Sequence, residues 1–305
     1  MHRSRTGFSP RRAAAPILIA ALGAAAPAPR LAAQESAASG GTDRHATEWF
    51  PDALAIAPLI AAPREVNLGA GLVFANREDS VGFTGTNLEA RVAIGHRLPV
   101  ARFQREENGR PEVVLGFEVG VFSRFFMEAG QKDLIDSDFR VGAPLSLRRG
   151  AWDARLEILH VSSHLGDDFL SRFPRRVRQV FRNGLEALLA RRLGRGVRAY
   201  IGADYNFSVA RTVERTAGRA GLEWDPGSEA GEPAIQPFAA VNFEITSLTD
   251  RVASTGAAGL SMRVSDVRFR LDLRAHTGPS ALGQLRTVDE DFLGLNLRGE
   301  FRNSP

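Results

Sequence analysis

Ala154-Arg155-Leu156-Glu157-Ile158-Leu159-His160-Val161-Ser162-Ser163-His164 is the stretch whose reading decides the fold. Apolar and polar residues alternate along it, which is the period of a strand, since successive strand side chains point to opposite faces. Ala154, Leu156, Ile158, His160, Ser162 and His164 therefore share one face, and Arg155, Glu157, Leu159, Val161 and Ser163 share the other. The apolar face ends in three polar side chains. Where such a face meets lipid, uncompensated polar groups are costly and need a reason to be there.

The same alternation extends through most of the chain. Leu88, Ala90, Val92 and Ile94 alternate with Glu89, Arg91, Ala93 and Gly95; Phe139, Val141, Ala143 and Leu145 with Arg140, Gly142, Pro144 and Ser146. Val267, Phe269, Leu271, Leu273 and Ala275 oppose Arg268, Arg270, Asp272, Arg274 and His276. About twelve segments of this kind follow Val66, each near the length of a tilted strand crossing a bilayer. One face is apolar throughout. The other carries opposite charges two or four residues apart, as in Glu89 and Arg91, Arg155 and Glu157, Arg219 and Glu223, and Arg298 and Glu300. Such pairs suit a narrow lumen in which they neutralise each other.

Connections point the same way. Arg149-Gly150 and Gly194-Arg195-Gly196 are tight, whereas 76–85, 126–136, 165–176 and 277–289 are long. These features predict an all-β transmembrane antiparallel β-barrel of about 12 strands, with short periplasmic turns and longer extracellular loops. A soluble β-sandwich is the competing architecture.

The N-terminus sets the compartment. Four arginines, an apolar run over 13–26 and small residues up to Ala33 read as a signal peptide over 1–33. Residues 34–47, rich in Ser, Ala and Gly, read as a disordered periplasmic arm. Residues 48–65, with Trp49-Phe50-Pro51, Pro58-Leu59-Ile60 and Pro63-Arg64-Glu65, read as an ordered periplasmic segment leading into a barrel over 66–305. A plug or docking role beneath the barrel is the alternative for this segment.

The net charge of +4 includes five arginines before Gln34 and no acids there, so loss of the leader leaves −1. Basic character is thus no sign of nucleic acid. With no cysteine, disulfides and thiolate metal sites are excluded. The expected location is the outer membrane of a Gram-negative-type envelope, with outer-membrane lipids and the barrel assembly machinery as partners. A homodimer is an open option.

For an upward strand, His160 and Ser162 lie near its outer end, with Cα atoms roughly 7 Å apart on one face. A neutral imidazole in reach of a serine hydroxyl can accept its proton and make it a nucleophile. A hairpin loop centred near Ser171 and Arg172 brings Asn183 opposite His160 with the same parity, so Asn183 is a candidate orienting group and His164 its alternative. The candidate site is Ser162, His160, Asn183 and His164, of a serine-dependent lipid esterase. The competing reading is a polar rim on a non-enzymatic structural barrel or narrow pore. His160, His164 and Asp168 cannot share an ion from a strand, where four residues span roughly 13 Å. Asp167 and Asp168 are candidate Ca²⁺ ligands at the outer rim, against a plain solvated acidic loop.

His160-Val161-Ser162 on an outward barrel face resembles the His-x-Ser of outer-membrane phospholipase A and of the lipid A 3-O-deacylase, barrel hydrolases whose catalytic side chains face the membrane. That similarity covers one hairpin, with a longer gap to the orienting residue, and it implies a lipid acyl hydrolase. A wider similarity rests on four segments: Trp49-Phe50-Pro51 to Pro63-Arg64-Glu65, Ser162-Ser163-His164-Leu165-Gly166-Asp167, Gly202-Ala203-Asp204-Tyr205-Asn206 and Gly221-Leu222-Glu223-Trp224. In these the chain resembles a bacterial family of uncharacterised proteins, domain of unknown function 1207. This resemblance implies a barrel and no particular activity.

Overall fold

The computed structural model describes residues 47–77, 83–105, 107, 110–130, 132–174, 180–210, 213–228, 235–264 and 267–301. The expected leader and the arm up to residue 46 lie outside the described residues. Twelve antiparallel strands close on themselves: β2 (Leu68–Arg77), β3 (Gly85–Gln104), β4 (Glu112–Phe126), β5 (Asp133–Arg149), β6 (Trp152–Leu165), β7 (Val180–Gly194), β8 (Val197–Val209), β9 (Thr216–Trp224), β10 (Ile235–Thr246), β11 (Val252–Val264), β12 (Val267–Thr277) and β13 (Glu290–Phe301). Closure comes from β2, which pairs with both β3 and β13. A two-residue strand, β1 (Glu48–Trp49), adds to the lower part of β3. Closing the sheet leaves no open edge, which is what a strand-built membrane span requires.

The outward face is a belt of exposed apolar side chains, including Leu72, Phe74, Ile158, Ile201, Leu273 and Leu295. All three tryptophans project outward at the end of the barrel where the chain enters and leaves, Trp49 66 % exposed, Trp152 47 % and Trp224 41 %. Aromatic residues at this level are the girdle of a membrane interface. At that end β5 and β6 are joined by Gly150-Ala151, and β7 and β8 by Arg195-Gly196, where Arg195 and Gly196 have φ of 53° and 74°. Such left-handed pairs match the twist of a two-residue hairpin.

The lumen is filled. Residues 51–66 run up into it, with Ala55, Ile56, Leu59, Ile60 and Ala61 almost fully buried. Backbone groups of this plug are held by wall side chains: the Ile60 amide donates to Glu223 Oε1 at 2.6 Å, and the Ile60 carbonyl accepts from Arg274 at 2.8 Å and Arg298 at 2.7 Å. Arg155 reaches both carboxylate oxygens of Glu65, at 2.7 and 3.2 Å. Val66, which alternation assigns to the first strand, is buried inside against Gly95 and Gly120, because the chain is still leaving the lumen there; the wall starts at Leu68.

Of the four expected ion pairs, Glu89–Arg91 at 3.1 Å and Arg155–Glu157 at 3.7 Å form, and the other two do not. Arg219 pairs with Asp204 at 2.5 Å rather than with Glu223, Glu223 pairs with Arg198, Arg298 with Asp272 at 3.1 Å, and Glu300 with Arg270. Neighbouring strands lie about 4.8 Å apart, closer than the roughly 7 Å between i and i+2 on one strand, so cross-strand partners win. At the outer end an apolar cluster of Phe83, Phe126, Ile135, Phe169 and Leu285 caps the lumen.

Candidate functional site

Inward anchors fix the orientation of β6. Arg155 holds Glu65 of the plug, and Glu157 accepts from Arg140 at 2.9 Å. With the odd-numbered side chains pinned inside, Leu156, Ile158 and His160 are exposed on the outer wall and Ser162 is half-buried there. Pairing of β6 with β5 and with β7 runs without a register shift through Ser162. The imidazole and the hydroxyl thus stay on the lipid-facing side.

Ten residues separate Ser162 from Trp152. At a rise of ~3.3 Å per residue and a tilt of ~40° that is roughly 25 Å along the membrane normal, the height of the apolar belt. Ser162 therefore sits at the outer interface.

Across the β6–β7 pair, Asn183 is the direct partner of His160, and its Oδ1 lies 2.7 Å from His160 Nδ1. An amide oxygen only accepts, so Nδ1 carries the proton and Nε2 presents its lone pair. No hydrogen bond joins His160 to Ser162 among the described residues. Unligated enzymes often leave such contacts loose until substrate arrives. Beside Asn183 the β7–β8 register shifts, and the next residue, Gly184, has no room for a Cβ, which would lie 2.3 Å from Asn206 Oδ1.

His164 does not join this pair. Its ring packs edge-on to Phe139, centroids 5.7 Å apart. Phe139 on β5 and Phe181 on β7 are the direct partners of Ser162. Sequence parity puts both on the apolar face, but only the register reveals that they flank the serine.

Asp167 and Asp168 are exposed in the first turn of α1 (Asp167–Arg172). Among the described residues no group of three or more His, Asp and Glu side chains forms a metal cluster. Two exposed carboxylates supply only part of the six to eight oxygens Ca²⁺ takes. The turn is held from below: the Gly166 amide donates to the Ile135 carbonyl at 3.1 Å, and Phe169 is buried in the outer apolar cluster.

Comparison with known proteins places the chain. The profile described as "Protein of unknown function (DUF1207)" matches residues 23–301. The chain belongs to this family. No curated protein sequence matches it. Among solved structures, outer membrane phospholipase A from Escherichia coli is similar at a TM-score of 0.52 and 10 % identity, covering 77 % of this chain and 90 % of that one. The calcium-bound phospholipase dimer from Salmonella typhi gives 0.52 at 13 % identity, covering 78 % and 93 %. A third, the E. coli enzyme carrying an active-site asparagine-to-alanine substitution, gives 0.52 at 10 % identity, with the same coverage as the second. At these identities the likeness is one of fold. Together with the apolar belt it makes this DUF1207 member an outer-membrane β-barrel.

Proposed function

We propose that this protein is an outer-membrane lipid acyl hydrolase whose site is on the outside of the barrel. The observation that carries the reading is the His160–Asn183 hydrogen bond, on a lipid-facing wall and one strand step from Ser162. Ser162 Oγ attacks the ester carbonyl while His160 Nε2 takes its proton, and the imidazolium then protonates the leaving alkoxide. Water repeats the sequence on the acyl-enzyme and releases the fatty acid. Asn183 holds the tautomer that makes Nε2 the base and orients the ring. Phe139 and Phe181 supply apolar walls for the acyl chain beside the serine.

Two similar structures support this reading by what they are: phospholipases, one of them altered at an active-site asparagine. The Salmonella relative is a dimer with bound calcium. In this chain a second copy packed over Phe139 and Phe181 would shield the acyl chain from water. No step above uses calcium. The alternative, an inert barrel, is favoured by one observation, the lumen filled from both ends.

Refolded full-length chain in mixed micelles of phospholipid or lipopolysaccharide, with and without Ca²⁺, should release titratable fatty acid, and Ser162→Ala should not. Equal release by that variant removes Ser162 from the mechanism. A silent wild type under every condition leaves the inert barrel.

A further inference from the structure

Away from the outer site, three neighbouring strands set a row of side chains on the lipid-facing wall. Arg149 on β5 is the direct partner of Trp152 on β6, and Trp152 is the direct partner of Arg191 on β7. All three are exposed, and the Arg191 guanidinium lies over the Trp152 ring, 5.1 Å from its centre. Trp152 belongs to the girdle at the periplasmic end, so both arginines stand at the level of lipid headgroups. Neither is paired with a carboxylate among the described residues. The acid at these strand ends, Asp153, faces inward, is 2 % exposed, and is taken by Arg148 at 2.9 Å and Arg192 at 3.5 Å.

Charge is spread unevenly around this rim. Residues 147–154 and 188–198 hold six arginines and one acid, whereas 104–112 hold two arginines and three glutamates, and 224–234 hold three acids and no base. The sector from β5 to β8 therefore draws anions. Just above Trp152 the wall is also notched. The next outward residue of β6 is Ala154, whose direct partners are Leu147 and Leu189, and Leu156 follows it on the same face. A single methyl among these larger side chains leaves a shallow apolar groove running up from the tryptophan.

We infer that this sector binds one anionic phospholipid of the periplasmic leaflet. Its phosphate sits between Arg149 and Arg191, and one acyl chain lies along the groove over Ala154. Guanidinium and phosphate form charge-assisted hydrogen bonds, and neither arginine has its donors committed to an acid of the chain. Stacking on Trp152 holds Arg191 in place, so less freedom is lost when the phosphate arrives. The headgroup is anionic rather than zwitterionic because the one acid of the sector is buried and paired, which leaves no carboxylate there to receive an ammonium group. The site is at the opposite membrane face from His160 and Ser162 and does not depend on their chemistry.

The test is native mass spectrometry of the full chain released from micelles containing dimyristoyl phosphatidylglycerol, dimyristoyl phosphatidylcholine or inorganic phosphate. One phosphatidylglycerol per chain should be retained, about tenfold in preference to phosphatidylcholine, as two arginines at a membrane surface allow. Arg149→Gln combined with Arg191→Gln should remove that preference. Arg105→Gln combined with Arg110→Gln takes the same charge from the exposed turn between β3 and β4 and should leave the preference intact. Ala154→Leu keeps both arginines and fills the groove from a position that faces lipid, and it should lower retention severalfold. Equal retention of the two lipids, undiminished retention without Arg149 and Arg191, undiminished retention in Ala154→Leu, an equal loss in the β3–β4 variant, or capture of phosphate with no lipid would each overturn the proposal.

Discussion

His160 Nδ1 and Asn183 Oδ1 lie 2.7 Å apart across a strand pair, on the face of the barrel that carries leucine, isoleucine and phenylalanine. The bond joins residues 23 apart in sequence, and it fixes which imidazole nitrogen is basic. Asn183→Ala should leave the barrel folded and lower fatty-acid release about 10²-fold, the lower end of what an oriented general base contributes. His160→Asn should lower it further, towards the Ser162→Ala background. Rates measured in mixed micelles check the order. An Asn183→Ala variant with wild-type rate separates this residue from the reaction.

Depth along the wall gives an independent check. Ile158 is roughly 15 Å along the normal from Trp152, near the middle of the belt, whereas Phe181 is level with Ser162 at the outer interface. Ile158→Arg should therefore cost about 2–4 kcal/mol of folding free energy in bilayers and Phe181→Arg only about 0–1 kcal/mol. Reversible unfolding in denaturant from lipid vesicles reads both. Equal penalties would contradict the placement of Ser162 at the interface.

The corner above the site is constrained by one small residue. A Cβ at Gly166 would lie 1.9 Å from the Leu134 carbonyl oxygen, which belongs to backbone and cannot swing away. Gly166→Ala should loosen the junction of β6 and α1 and lower the thermal midpoint, by about 1–3 kcal/mol of overpacking. Amide exchange at Leu170 and Phe173, whose amides bond to the Gly166 and Phe169 carbonyls, should accelerate.

Strand parity was legible in the sequence because a period of two survives any choice of loop. It gave the outward set of β6, and the centre of the following loop gave the facing of His160 and Asn183. The plug was legible only as an alternative: residues 51–66 follow no period, and their backbone is held by side chains of strands 91 to 238 residues away, as with Ala55 to Ser146 and Ile60 to Arg298. Partner choice in the lumen was hidden for a similar reason, since i,i+2 charges such as Arg298 and Glu300 look paired in one dimension and separate once cross-strand neighbours are nearer.

The plug should respond to acid through Glu65. Burial alone would raise the pKa of this carboxyl, but the Arg155 and Arg97 guanidiniums outweigh it and hold it at about 2. Its unfolded value is near 4.3. A depressed folded value means that the ionised form is the one the docked plug prefers. The stabilisation is complete above about pH 4.3 and fades as the pH falls towards about 2. Cross-linking should report this directly, because the chain has no cysteine of its own. With Ala55→Cys and Ser146→Cys, where the Ala55 amide donates to Ser146 Oγ at 3.2 Å, disulfide formation under mild oxidant before each acid pulse should protect the plug from acid-stable protease. The uncrosslinked chain should become susceptible over 51–66 only below about pH 4.3. Glu65→Gln removes the titrating group and leaves Arg155 and Arg97 facing a neutral amide, so its plug should be susceptible already at pH 7, with a flatter pH profile. Release of the wild-type plug between pH 6 and 8 would assign the switch to another group.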